Sequence, residues 1–149
     1  MDIYQKIKRD HEVHRELMDR ISATTGESEE RKELFEKLLV DVEAHAAAEE
    51  QTLYSELIET VEAQSQTRHS IAEHEDTSEL LDELQKTDMS SPAWLATFKK
   101  FRHELEHHMT EEERDVFPVG EELIGDKKAS ELGEKFENRK EIEEEQMDS

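Results

Sequence analysis

The sequence predicts an all-α protein: an up-down-up-down four-helix bundle built from a duplicated helix pair, with a weakly helical acidic C-terminal tail. Of the 41 acidic residues, 31 are Glu, which favours helices, and only four Gly and two Pro interrupt the 149-residue chain. Apolar residues recur every three or four positions, whereas strands would show alternation. The chain also repeats itself at one constant offset, which is typical of a bundle that arose by duplication.

The first helix pair is predicted from its boundaries. Helix one runs from about Asp2 to Ala23, and Gly26 supplies a C-terminal stop. Helix two begins near Ser28, a suitable N-cap. No Gly or Pro marks its end between residues 60 and 69, so the break there is predicted from the repeat alone.

The second helix pair has one clear boundary. Helix three carries apolar residues at helical spacing, namely Ile71, Leu80, Leu81 and Leu84. Helix four begins with Ser91 as its N-cap and Pro92 at the first helical position, and Pro118 marks its end. The bundle is therefore predicted to occupy residues 1–120.

The C-terminal extension, residues 121–149, has a different character. Leu132, Phe136 and Ile142 are spaced for a short helix, but Gly133 disfavours a strong one. The stretch from residue 141 to residue 149 is mostly acidic. We expect this extension to be a short helix or partly disordered.

Composition excludes several classes of protein. The chain has 19 Lys and Arg against 41 Asp and Glu, a net charge of −22, which repels the phosphate backbone of nucleic acids. The longest apolar run has four residues, 93–96, so no membrane span or signal peptide is predicted and a cytoplasmic location is expected. There is no cysteine to provide a disulfide or thiolate ligand. We expect a monomer or a weak dimer.

The internal repeat has an offset of 63 residues. His11 aligns with His74, and His45 with His108, so that the two histidines of each half are 34 residues apart. Glu49 and Glu112 also align, four residues after the second histidine of each half. The repeat thereby selects four of the eight histidines in the chain.

The repeated residues lie on helical faces that point toward the core. Val42, His45 and Glu49 share the face of Leu38. The equivalent residues of helix four, Leu105, His108 and Glu112, share the face of Phe101. A carboxylate in an apolar core costs several kcal/mol unless a cation or a partner neutralises it. The sequence therefore predicts a metal site whose ligands are His11, His45, Glu49, His74, His108 and Glu112.

The ligand types restrict the metal. Imidazole and carboxylate without thiolate favour iron, manganese or zinc over copper(I), magnesium and calcium. Four histidines and two glutamates are too many for one tetrahedral zinc ion, and they suit two metals bridged by the carboxylates.

The other four histidines have no histidine at the matching position of the repeat and are interpreted as structural: His14, His69, His103 and His107. His14 and His107 remain candidates for an outer contact or an extra ligand. Helix four also permits a second register, with His103, His107 and Glu111 facing the site. The repeat and the apolar face that leads to His108 argue against that register.

Residues beside the ligands receive simpler interpretations. Glu50 and Glu113 are expected to be solvated. Tyr54 and Phe117 lie half a turn away from their histidines and are expected to plug the end of the bundle.

Four segments together resemble the hemerythrin-like family, the HHE cation-binding domain. They are Asp10-His11, His45-Ala-Ala-Ala-Glu49-Glu50, Glu73-His74, and the run from His108 to Pro118. The resemblance covers about residues 1–120. It implies a non-haem centre of two Fe ions, one held by His11 and His45 and the other by His74 and His108. Glu49 and Glu112 would bridge the irons together with an oxo or hydroxo group, and Mn or Zn is a less favoured occupant.

One position departs from the oxygen-carrying members of that family, which have a further histidine where this chain has Ser70. The departure predicts open coordination positions, which favour reaction with small ligands. The expected function is binding of, or reaction with, dioxygen, peroxide or nitric oxide in oxidative or nitrosative stress defence. A redox or signalling protein is a further candidate partner of this chain. The alternatives are iron or oxygen sensing, or iron storage without turnover, and an acidic helical interaction module without metal. Whether the protein is an enzyme stays open.

Overall fold

The computed structural model describes residues 1–148 and is all-helical over that range. Its five long helices are α1 (Ile3–Ser22), α2 (Glu29–Glu49), α3 (Val61–Lys86), α4 (Pro92–Glu111) and α5 (Asp126–Asp148). Helices α1 to α4 form the predicted bundle, in which α1 packs on α2 and α3 packs on α4. The predicted fold class is therefore confirmed.

The helix boundaries follow the capping signals in the sequence. Ser28 accepts a hydrogen bond from the backbone N–H of Arg31 at 3.1 Å, and Ser91 accepts one from Trp94 at 3.2 Å, so both predicted N-caps are confirmed. Thr60 has an extended backbone immediately before α3. The break that only the repeat indicated is therefore present.

Two π-helical segments prolong α2 and α4 at equivalent points. Residues Glu50–Tyr54 follow α2 and lead into a short helical turn, Ser55–Leu57. Residues Glu112–Val116 follow α4 and lead into the short helix Phe117–Leu123. A π-helical turn is wider than an α-helical turn and often lies at a functional site. Both segments begin at, or directly after, a predicted ligand carboxylate.

Two apolar clusters fill the interior on either side of a polar layer. One contains the aromatic residues Phe35, Trp94, Phe98 and Phe101. The other contains Ile3, Tyr4, Leu53, Tyr54, Phe117 and Phe136. Along α1, Ile7 belongs to the second cluster and Leu17 to the first, and His11 lies between them. The predicted ligands thus occupy a layer that apolar side chains close off from both sides.

The C-terminal extension differs from its expectation, because α5 is a 23-residue helix that packs on α1 and α2. Its inner face buries Ala129, Leu132 and Phe136. At Gly133 a Cβ atom would lie 3.0 Å from the backbone nitrogen of Ile3, so glycine permits the close approach of α5 to the start of α1. Ser149 lies outside the described residues.

Among residues 1–148, none of the helices combines the length and the apolar character needed to cross a lipid bilayer.

Candidate metal centre

The six predicted ligands meet in the polar layer as two buried triads. One triad is His11, His45 and Glu112, and the other is Glu49, His74 and His108. The potential ligand atoms within each triad all lie within 4.8 Å of one another. Because each triad takes one residue from each of three bundle segments, only the assembled bundle brings it together.

Each glutamate faces both pairs of histidines. Glu112 Oε1 lies 3.1 Å from His11 Nε2, and its Oε2 lies 3.8 Å from His108 Nε2. Glu49 Oε1 lies 3.1 Å from His74 Nε2, and its Oε2 lies 3.8 Å from His45 Nε2. The two oxygens of each carboxylate therefore point to different ends of the centre, as a bridging carboxylate requires.

The donor spacing suits transition-metal coordination. Donors that bind a metal at about 2.1 Å stand about 3.0 Å apart in an octahedron and about 3.4 Å apart in a tetrahedron. The two shorter Glu–His separations are 3.1 Å, and the Nε2 atoms of His74 and His108 are also 3.1 Å apart. The residues present therefore fit a pair of metal ions.

An outer carboxylate orients each of the four histidines. The Nδ1–H groups donate across the bundle at 2.7 to 3.0 Å, in the pairs His11–Glu113, His45–Asp10, His74–Glu50 and His108–Glu73. An ionised carboxylate can only accept, so each Nδ1 carries a proton and each Nε2 faces the centre. Glu50 and Glu113 are therefore bound to site histidines, and the expectation that they are merely solvated is wrong.

These outer contacts follow the sequence repeat. Asp10 and Glu73 are 63 residues apart, and each accepts from the second histidine of its own half. Glu50 and Glu113 are also 63 residues apart, and each accepts from the first histidine of the other half. The four contacts thus form a pseudo-symmetric set that ties the two halves together.

Several buried polar atoms in the centre lack a hydrogen-bond partner among the described residues. They are His11 Nε2, both carboxylate oxygens of Glu49, and Oε1 of Glu112. Buried polar groups are nearly always satisfied, so unsatisfied donors and acceptors that converge on one point need a further partner. Two cations, one in each triad, would satisfy all four atoms.

The pKa values of the metal-free protein also indicate that the centre needs a bound cation or proton. Burial and the neighbouring charge of Glu112 raise the pKa of Glu49 well above its ordinary value. Burial lowers the pKa of His11, but Glu112 and Glu113 outweigh it and raise the value to about 9. Protons therefore occupy the centre when metal does not, and metal binding must release them.

Tyr54 is a site residue that the sequence analysis missed. Its phenol donates a hydrogen bond to Glu112 Oε2, and its ring lies against His74 with the centroids 5.4 Å apart. Ser70, the position at which the sequence departs from the expected oxygen-carrier pattern, is buried. The expectation that Tyr54 only plugs the bundle is therefore wrong. Phe117 is buried and stacks on His11, as a plug would.

His14 belongs to an outer network that reaches α5. Its Nε2 lies 2.5 Å from Asp41 Oδ2, and Lys140 Nζ lies 2.8 Å from the other oxygen of Asp41. Lys140 also contacts Asp10, the partner of His45, at 3.1 Å. The Phe136 ring packs edge-on against His45. Helix α5 thus supports the α1–α2 side of the centre, which no local sequence signal indicated.

The remaining three histidines lie outside the buried centre. His69, His103 and His107 are exposed, whereas His108 is buried. The alternative register of helix four, with His103 and His107 facing inward, is therefore wrong.

The fold and the site together define a class: helical bundles that enclose a cation-binding layer of histidine and glutamate. A profile of the Hemerythrin HHE cation binding domain matches residues 2–119. The chain therefore belongs to the hemerythrin HHE cation-binding domain family, and the resemblance seen in the sequence is confirmed.

Several mycobacterial proteins are similar to this chain. Rv2633c of Mycobacterium tuberculosis H37Rv and Mb2666c of Mycobacterium bovis, both described as uncharacterized, are each 31% identical over 140 residues, which is 93% of this chain and 85% of the relative. A crystal structure of the Rv2633c homolog from Mycobacterium kansasii, a hemerythrin HHE cation binding domain-containing protein, has a TM-score of 0.88 and 33% identity. That comparison covers 98% of this chain and 89% of the other.

Proposed function

We propose that the two triads hold two iron ions, and that the centre binds or reacts with dioxygen, peroxide or nitric oxide in oxidative or nitrosative stress defence. The observation that carries this proposal is the convergence of four histidine Nε2 atoms on two buried carboxylates. Each of these histidines donates a hydrogen bond from its Nδ1–H to an outer carboxylate, and this bond orients its Nε2 toward the centre. Both carboxylates are nearly inaccessible to solvent, and three of their four oxygens lack a hydrogen-bond partner among the described residues.

The ligand set suits iron, and the proposed reaction requires a redox-active metal. Four imidazoles and two carboxylates without thiolate suit borderline metals, and six donors exceed the needs of one tetrahedral zinc. When bound, iron would supply reversible redox chemistry and a coordination position for a small molecule. Zinc has no redox chemistry and would not support the proposed reaction.

The interior around the centre limits the size of the ligand. A cavity of about 10 Å³ is lined by the four histidines of the centre and by His14. That volume is about what one water molecule needs. The space excludes an organic substrate, so any ligand that reaches the centre must be very small.

Two polar side chains, Tyr54 and His14, lie beside the centre. Burial and the charges of Glu112 and Glu49 raise the pKa of Tyr54 well above its ordinary value, so Tyr54 Oη keeps its proton. That proton is donated to Glu112 Oε2 and stabilises the charged carboxylate. His14 Nδ1 is buried without a hydrogen-bond partner among the described residues and lines the cavity.

The proposal is tested first by counting metal. Untagged protein is purified without chelator from iron-supplemented cells, and metal per chain is measured by mass spectrometry. We expect about two irons per chain and a rapid spectral change when oxidant or nitric oxide is added. The Glu112→Ala variant should lose both. One zinc or manganese per chain in place of the two irons, or unchanged reactivity of Glu112→Ala, would contradict the proposal.

One observation supports iron or oxygen sensing as a second candidate. Lys140 connects α5 to Asp10, which in turn holds His45 of the centre. Occupancy of the centre could therefore be transmitted to an exposed helix. Hydrogen exchange of α5, measured with and without iron, should slow on iron binding if the protein is a sensor. Equal hydrogen exchange of α5 with and without iron would contradict the sensing function and leave the reaction with small ligands as the proposed function.

A further inference from the structure

We propose that this chain carries a third metal site, at the surface between α3 and α4. It is formed by His69, Glu73, His107 and Glu111, which we call the surface cluster. The ligand is a divalent transition-metal ion of the borderline class, such as Zn²⁺ or Fe²⁺, since the donors are two imidazoles and two carboxylates. The site is separate from the two buried triads.

The donor atoms of the surface cluster converge on one point. Glu111 contacts both histidines: its Oε1 lies 3.0 Å from His69 Nε2, and its Oε2 lies 2.9 Å from His107 Nε2. Glu73 Oε2 lies 3.4 Å from His69 Nε2 and 3.8 Å from His107 Nε2. Even without His107, the ligand atoms of His69, Glu73 and Glu111 all lie within 4.8 Å of one another, as those of each buried triad do.

These separations match the spacing of donors around a single ion. With metal–ligand bonds of about 2.1 Å, neighbouring donors stand about 3.0 to 3.4 Å apart. The His69 and Glu111 pair and the His69 and Glu73 pair fall at 3.0 and 3.4 Å. A two-histidine, two-carboxylate set can therefore close around one ion with small side-chain movements.

The carboxylates of the cluster are held in place before any ion arrives. Gln66 Nε2 donates to Glu111 Oε1 at 3.1 Å, and His108 Nδ1 donates to Glu73 Oε1 at 2.8 Å. Both carboxylates are mostly shielded, with 13% and 17% of their side-chain surface exposed. The rings of His69 and His107 are 53% and 63% exposed, so an ion can reach the site from solvent. Fixed acceptors with accessible rings favour binding, because little side-chain freedom is lost.

A solvent-facing cleft leads to the cluster. Its volume is about 280 Å³, and Glu73 and His107 lie in its wall together with Asp76 and Glu104. The acidic wall and the net charge of −22 raise the local concentration of cations. The cleft therefore offers a path by which a hydrated ion approaches.

Glu73 connects this site to the buried centre. One of its oxygens faces the surface cluster, and the other accepts the hydrogen bond from His108. Changing Glu73 would disturb both sites, so the test must leave it intact. The third site is argued from its own residues and does not depend on iron in the buried triads.

The test compares three forms of the full chain. They are the wild type, the His69→Ala/His107→Ala double variant, and His103→Ala, which removes another exposed histidine of α4 that lines the same cleft. Each is purified untagged and equilibrated by dialysis against Zn²⁺ in buffer with excess Mg²⁺ and about 0.15 M salt, which screens weak binding to acidic surfaces. Bound zinc and residual iron per chain are then measured by mass spectrometry.

We expect the wild type and His103→Ala to bind one zinc per chain more than the double variant, with equal iron in all three. Loss of two of four ligands should weaken binding at this site at least about tenfold, as judged from the dialysis series. Equal zinc in all three forms, or displacement of the zinc by Mg²⁺, would mean that the cluster makes ion pairs only, and would overturn the proposal. An equal loss in His103→Ala would overturn the ligand assignment. Circular dichroism of the variants checks that all three are folded.

Discussion

Glu50 Oε2 lies 2.9 Å from Nδ1 of His74 and aims that imidazole at the centre of the bundle. The equivalent contact in the other half joins Glu113 to His11 at 3.0 Å. Each of these glutamates directly follows a carboxylate of the centre. Consecutive glutamates therefore have two different tasks, because the first faces the centre and the second fixes a histidine of the other half.

This arrangement predicts the effect of changing the outer carboxylates. Glu50→Gln and Glu113→Gln should each lower metal affinity about 10- to 100-fold, because the amide accepts less strongly from Nδ1–H and can present the wrong group. Affinity is measured by competition with a chromophoric chelator. The exposed Glu62→Gln serves as the control and should bind as the wild type does. Wild-type affinity in both Glu50→Gln and Glu113→Gln would show that these contacts do not orient the ligands.

Metal removal should destabilise the bundle. Two buried glutamates and the histidines around them then face one another without a cation. A ligand present at about a thousand times its dissociation constant adds about 4 kcal/mol to the free energy of unfolding, which corresponds to a melting temperature about 10 °C higher. Thermal melts with and without a strong chelator measure this difference. The Glu112→Ala variant should not respond to chelator, and an equal response of both proteins would place the metal elsewhere.

Helix α5 should contribute to both stability and metal binding. Phe136 is fully buried and packs edge-on against His45, with the ring centroids 5.4 Å apart. Phe136→Ala should lower the free energy of unfolding by about 3–5 kcal/mol through the cavity it leaves. It should also weaken metal binding. Ile142→Ala, on the same helix at a side chain that is 39% exposed, is the matched control and should change little. Urea unfolding measures the free energy of unfolding of both variants. Identical values for Phe136→Ala and Ile142→Ala would mean that α5 does not dock as described.

The Asp41 network predicts a pH dependence of stability. Burial acts to raise the pKa of Asp41, but the hydrogen bond with His14 and the charge of Lys140 outweigh it and hold the pKa well below its ordinary value of 3.8. A carboxyl group whose pKa is lowered by folding stabilises the protein above its unfolded pKa, and this stabilisation is lost as the pH falls below that value.

Asp41→Asn should therefore be less stable than the wild type by about 2–3 kcal/mol at pH 7, because Lys140 and His14 lose a charged partner. The difference should shrink as the pH falls below the ordinary value of 3.8, because the unfolded chain then binds a proton that the folded Asp41 carboxylate does not bind. Urea unfolding of the metal-free proteins at several pH values measures the trend. Asp82→Asn, an exposed site, provides the control. A difference that stays constant with pH would show that the charge of Asp41 is not the cause.

The sequence by itself determined the helices and the six histidine and glutamate residues that meet in the core. Capping by Ser28 and Ser91 depends on hydrogen bonds to residues three positions away, so a local pattern predicts it. The repeat then separated His11, His45, His74 and His108 from the other histidines, because duplicated halves place equivalent residues at equivalent points of a bundle. The structure brings those four residues and their two glutamates together.

Only the tertiary structure decided which side chains contact these six residues. The partners of Glu50 and Glu113 lie on other helices, and a single sequence does not show which helix faces which. The contact of Tyr54 with the centre was not predicted because Tyr54 lies at the end of a π-helical segment, where the angle between residues differs from the α-helical angle. Helix α5 gains its stability from contacts with α1 and α2 that its own polar sequence does not reveal.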